Sequence, residues 1–105
     1  MTVAQEQTVE AATSYLETGG GFSRAGLINQ LSSSAGEGFP KGVAIFAVNH
    51  LRVNWNQQAV KSAKGYLETG GGFSRAGLIQ QLSSSAGEGF TYAQAVYAAN
   101  KVGLR

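Results

Sequence analysis

The sequence predicts an all-α fold: six helices in two tandem three-helix, helix-turn-helix-like repeats, packed as one small unit. The first observation is a duplication. Residues 15–39 and 66–90 are identical at 24 of 25 positions, at an offset of 51, with Asn29 becoming Gln80. A repeat of this kind dictates the architecture, because each copy must build the same supersecondary unit. The second observation is periodicity: apolar residues recur at helical spacing, and no segment alternates with a period of two long enough for a strand. Weaker matches extend the repeat through Val9/Val60, Ala12/Ala63, Ala44/Ala95, Phe46/Tyr97, Ala47/Ala98 and Asn49/Asn100. The repeats are placed at residues 1–53 and 54–105. One such unit is marginal alone, so the two are expected to pack together.

The first helix opens at Thr2, with Gln5 completing a capping box, and turns Val9, Ala12, Tyr15 and Leu16 inward. The glycines at 19–21 end it, since glycine adopts the left-handed C′ conformation cheaply. Ser23 is a favoured N-cap for the second helix, Phe22 and Leu27 form its hydrophobic staple, and Leu27, Ile28 and Leu31 its apolar stripe. After the loop at 32–39, Pro40 takes the first position of the third helix, where its missing N–H costs nothing. That helix is apolar almost all round, through Val43, Ala44, Ile45, Phe46, Ala47, Val48 and Leu51, and is expected to be the most buried. In the second copy, Asn54 with Gln57 opens a helix whose apolar face is Trp55, Ala59, Ala63, Tyr66 and Leu67, ending at the glycines 70–72. Ser74 caps the fifth helix, with Phe73 and Leu78 as staple and Leu78, Ile79 and Leu82 as stripe. Thr91 with Gln94 makes a capping box for the sixth.

Composition excludes several classes. Charged residues are 13% of the 105, against about 25% in typical globular proteins, and 43% are apolar, so the chain is not a disordered tail. Eight Lys/Arg against six Glu, with no Asp, leave a net charge of +2, which does not imply a nucleic-acid partner. Without cysteine there is no disulfide, thiolate or cysteine-ligated metal, and no cofactor is implied. No apolar run approaches the roughly 20 residues of a membrane span. The start, Met-Thr-Val-Ala-Gln-Glu-Gln, lacks the charged and apolar regions of a signal peptide.

The catalytic inventory does not suggest an enzyme. His50 is the only histidine, near a helix end, where imidazolium suits the dipole. A Ser–His–Asp triad lacks its acid. Glu37 and Glu88 could act as paired carboxylates only across a cleft, at about 5–10 Å, which nothing in the sequence supplies. The Gly-rich run into Ser23 and Arg24 lacks the Gly-Lys-Ser/Thr ending of a phosphate loop and reads as one helix cap followed by another. A DNA-reading role for the third helices is opposed by the turn of about eight residues, against the usual three or four. It is also opposed by the few cations, Lys41, His50, Arg52 and Lys101, on those helices. Phe22, Phe73, Phe39 and Phe90 read as core. Arg24/Arg75, Glu17/Glu68 and Glu37/Glu88 read either as a solvated face with local Arg–Glu pairs or as a contact surface displayed twice.

The ordered motifs Tyr-Leu…Phe-Ser-Arg-Ala-Gly-Leu-Ile-x-Gln-Leu-Ser…Gly-Glu-Gly-Phe-Thr…Gln-Ala-x-Tyr-Ala, with Asn-Trp-Asn-x-x-Ala before the second copy, resemble the Ltp-like host cell surface-exposed lipoprotein family. The likeness runs from about Val9 onward. It implies a tandem helix-turn-helix domain tethered outside the bacterial membrane, acting in superinfection exclusion. The partner implied is the phage tail tape-measure protein, and the effect implied is a block on DNA entry after adsorption. The membrane would be reached only through a lipid anchor, and this chain shows no lipobox cysteine, so a cytoplasmic location stays open. Expected contact residues are Glu37, Glu88, Arg24, Arg75, Tyr92 and Gln94. Copy two is favoured because copy one has Pro40-Lys41-Gly42-Val43 where copy two has Thr91-Tyr92-Ala93-Gln94. The alternatives are a DNA-binding regulator using Arg24, Arg75, Lys41 and Lys101, and a cell-wall-binding module.

Overall fold

The structure, a computed structural model, describes residues 1–105. Six helices follow one another: α1 (Val3–Thr18), α2 (Arg24–Ser32), α3 (Lys41–His50), α4 (Trp55–Thr69), α5 (Arg75–Ser83) and α6 (Tyr92–Lys101). There are no strands. By contact the chain divides into two units, Met1–Gly19 with Arg24–Val53, and Gly20–Ser23 with Asn54–Arg105. In unit 1, α3 packs on both α1 and α2; in unit 2, α6 packs on both α4 and α5.

The helix starts follow local chemistry. Thr2 and Gln5 form a reciprocal capping box, as do Thr91 and Gln94. Asn54 accepts from the Gln57 N–H, and Ser74 from the Gly77 N–H. Each satisfies an amide that the helix leaves unbonded, at a contribution of about 1 kcal/mol. Pro40 stands one place earlier than expected. It is the N-cap of α3, with φ −55° and ψ 140°, and Lys41 is the first helical residue. The helix ends also depart from the expected left-handed caps. Gly19 and Gly70 are extended, with φ −79° and −87°, and each still closes a last helical bond to a tyrosine carbonyl. The positive φ falls on the third glycine of each triplet, Gly21 at +107° and Gly72 at +92°.

Each unit has its own core. Ala12, Leu27, Ile28, Leu31, Ala44, Ala47 and Val48 are buried in unit 1. In unit 2 a single cluster joins Ala59, Ala63, Leu78, Ile79, Leu82, Phe90, Ala95, Ala98 and Ala99. Alanines dominate where the long helix meets the third, a composition that suits the short end of the usual 8–10 Å interaxial range. The leucines fill the space beneath the middle helix. The third helix of copy one is no more buried than its counterpart: α3 buries Ala44, Ala47 and Val48, and α6 buries Ala95, Ala98 and Ala99. Leu67, read as part of an apolar face, is 39% exposed near the end of α4.

The long turn is ordered by its own backbone. Glu37 N–H bonds the Gln30 carbonyl and Phe39 N–H the Leu31 carbonyl, at 3.1 and 2.8 Å, and copy two repeats both bonds from Glu88 and Phe90. The loop therefore folds back over the end of the middle helix. A Cβ on Gly36 or Gly87 would come within 2.0 or 2.1 Å of a carbonyl of that helix, so no larger residue fits.

Candidate interaction surface

Identical loop sequences give the two glutamates different surroundings. Glu37 is exposed and borders a shallow groove with Glu10, Tyr15 and Phe39. Glu88 is half-buried, and its carboxylate accepts two hydroxyls of α4, from Tyr66 at 2.9 Å and Ser62 at 3.3 Å. Gln81 Nε2 donates to the same tyrosine oxygen at 3.2 Å. The phenol of Tyr66 is pushed above its ordinary pKa of 10.0, first by burial and then by the Glu88 carboxylate, which accepts a hydrogen bond from the phenol and repels a phenolate. Phe73 meets the Tyr66 ring edge-on, with centroids 5.6 Å apart. The Ser23 hydroxyl donates to the backbone carbonyl of Glu88, and the Phe22 N–H donates to Gln58 Oε1 at 3.0 Å. Both contacts are internal to unit 2, which includes Gly20–Ser23.

Ser62 accounts for part of this difference. At the offset of 51 it corresponds to Ala11, so copy one lacks that hydroxyl while retaining the tyrosine and the glutamine. Tyr15 accepts from Gln30 Nε2 at 3.3 Å.

The arginines reach the third helix of their own unit. Arg24 donates to Asn49 Oδ1 through both Nε and an Nη, at 3.3 and 2.9 Å. Arg75 donates from Nη1 to Asn100 Oδ1 at 2.7 Å and to the Leu104 carbonyl at 3.0 Å. These bonds tie the start of the middle helix to the end of the third. The asparagines were visible as a matched pair, Asn49/Asn100, but their link to the arginines is tertiary.

Of the residues expected to meet a partner, the structure brings Arg75 and Tyr92 together. They line a groove of about 460 Å³ between α5 and α6, with Ala76, Ile79, Gln80 and Ser83. Tyr92 is 69% exposed there, the most open aromatic of the chain. Gln94 is held in its capping box, where Oε1 accepts from the Thr91 N–H at 2.9 Å. Glu88 turns to α4. Phe90 is buried while Phe39, Phe22 and Phe73 are half-buried. His50 ends α3, exposed and stacked on Phe46 at 5.8 Å. No helix is long and apolar enough to cross a membrane.

Comparison with known proteins gives a consistent result. A family model described as host cell surface-exposed lipoprotein matches residues 4–51 and again 54–102. Among solved structures, the chain is similar to Ltp, a superinfection exclusion protein from the Streptococcus thermophilus temperate phage TP-J34. The TM-score is 0.83 at 27% identity, covering 95% of this chain and 96% of that one. No curated protein matches.

Proposed function

This chain belongs to the host cell surface-exposed lipoprotein family, and from that membership we propose that it is a non-enzymatic binding domain acting in superinfection exclusion. Displayed on the bacterial surface, it engages the tail tape-measure protein of an incoming phage and stops DNA entry after adsorption. The observation that carries this reading is the fold match to a superinfection exclusion protein along nearly the full length of both chains. The residues assigned to this role are Glu37, Glu88, Arg24, Arg75, Tyr92 and Gln94, of which Arg75 and Tyr92 line one groove of the second unit. An exposed tyrosine beside an arginine, over the apolar Ile79, is the combination that dominates the energetics of protein contacts. Glu88 and Gln94 serve by holding the loop and the α6 start that frame the groove.

The test is a phage challenge of cells displaying the domain through an added lipoprotein anchor, with adsorption and genome entry scored separately. Normal adsorption with lost entry is expected. Unimpaired entry at verified display, across phages that use the same host, refutes the reading.

A further inference from the structure

On the other side of α6, between it and α4, lies a groove of about 450 Å³ whose charge comes only from lysines. Lys61, Lys64 and Lys101 line it, with Gln57, and Val60 and Tyr97 supply apolar surface between them. Lys64 and Lys101 are exposed, and the Lys101 ammonium sits 5.7 Å from the centre of the Tyr97 ring. The same face of copy one is different. At the offset of 51, Lys61 corresponds to Glu10, Lys64 to Thr13 and Lys101 to His50. Every lysine of this groove is thus absent from its duplicate, and one is replaced by a glutamate. Residues 15–39 and 66–90 kept 24 of 25 positions while this face changed sign.

We propose that the α4–α6 groove of copy two is a docking site for an acidic, amphipathic polypeptide segment, and that each chain carries one such site despite its duplication. The exposed ammonium groups of Lys64 and Lys101 beside an apolar surface call for carboxylates and apolar side chains alternating on one partner surface. A polypeptide offers both. A nucleic-acid strand has bases that can stack on Tyr97, but it needs a longer track of cations than this groove and a net charge of +2 supply, and a flat lipid surface does not fill a recess. The inference rests on the reading above only for the identity of the protein that carries the segment.

The experiment uses the full chain, isotope-labelled for amide NMR, and a synthetic helical peptide with glutamates on one face and leucines on the other. Its Gln-for-Glu counterpart and phosphatidylglycerol vesicles are the controls. The acidic peptide is expected to bind one per chain and to shift α4 and α6 amides, and salt is expected to weaken it. K64E/K101E lowers its affinity about tenfold or more, since like charge then faces like charge. The graft E10K/T13K/H50K raises the stoichiometry to two, a gain that misfolding cannot mimic. Absence of peptide binding, equal binding of the Gln counterpart, shifts confined to the Arg75–Tyr92 groove, or lysine-dependent binding of vesicles alone each overturns the proposal. Because the assay contains no phage, its failure leaves the exclusion reading standing. Failure of the displayed parent domain to block entry refutes exclusion without touching the peptide result.

Discussion

Tyr66→Phe removes one oxygen from a network that copy one builds differently. That oxygen donates to the Glu88 carboxylate at 2.9 Å and accepts from Gln81 at 3.2 Å. A hydrogen bond to a charged group contributes about 1.5–3 kcal/mol net. Half-burial screens it, so about 1–2 kcal/mol is expected here. At about 4–8 °C per kcal/mol for a domain of this size, that lowers Tm by about 4–16 °C. The internal control is Tyr15→Phe, which gives up a neutral contact from Gln30 at 3.3 Å beside an exposed Glu37. Its cost is expected to stay under ~1 kcal/mol. Urea denaturation of both variants, followed by tyrosine-independent circular dichroism, supplies the comparison. A double-mutant cycle with Glu88→Gln should then return a coupling of at least ~0.5 kcal/mol for Tyr66. Equal costs at the two tyrosines, or zero coupling, would refute the claim that Glu88 is anchored by α4.

The other expectations concern pH, backbone and surface. The Tyr66 phenol has a raised pKa, so the folded state holds its proton more tightly than the unfolded chain does. This contribution is complete below about pH 10 and is lost as pH rises through the folded value, so the urea midpoint should fall more steeply above pH 10 in the parent than in Tyr66→Phe. Gly21→Ala should be severe, because its Cβ would lie 2.5 Å from the Gln58 carbonyl and 2.7 Å from the Ser62 nitrogen at φ +107°. Gly72→Ala, at φ +92° with open space around it, should cost only about 1–2 kcal/mol in backbone strain, and thermal melts of the pair check the order. Arg75→Glu should destabilise by about 1–2 kcal/mol, since it breaks the bonds to Asn100 and Leu104. Tyr92→Ala should leave stability within about 0.5 kcal/mol while weakening partner binding, which calorimetry on the two variants distinguishes.

What could be read from the sequence was local. The capping boxes at Thr2 and Thr91 depend on a three-residue spacing, and the Leu27/Leu31 and Leu78/Leu82 stripes on helical period, so both appear where expected. Three adjacent glycines offer no local reason to prefer one for the positive φ, and the structure places it at the third rather than at the cap. Pro40 meets the geometric demands of either neighbouring position, hence the one-residue shift at α3. Residues farther apart were not legible. Sequence alone leaves Arg75 on a solvated face, in a local pair with a glutamate, or on a contact surface displayed twice, and does not show that it bonds Asn100, 25 positions away. Glu37 and Glu88 sit in the same 25-residue context, yet Ala11 and Ser62, outside that context and on another helix, help set them apart. The lysine groove was missed because its members are split between α4 and α6, although each differs visibly from its counterpart at the offset of 51.

The near-identity of α2 and α5 also bears on how the chain reaches its native state. A refolding molecule has two almost interchangeable middle helices, differing only at Asn29/Gln80 and burying the matched residues Leu27/Leu78, Ile28/Ile79 and Leu31/Leu82. Repeat proteins misassemble by such exchanges, which bury the same leucines and so cost little at the core. Kinetic partitioning must then be decided by the outer helices, whose residues diverge most. Emergence from the ribosome supplies a further bias, since α1, α2 and α3 can collapse together before α5 exists to compete. Dilution from denaturant removes that order, so renatured material should contain a swapped fraction that freshly synthesised material lacks.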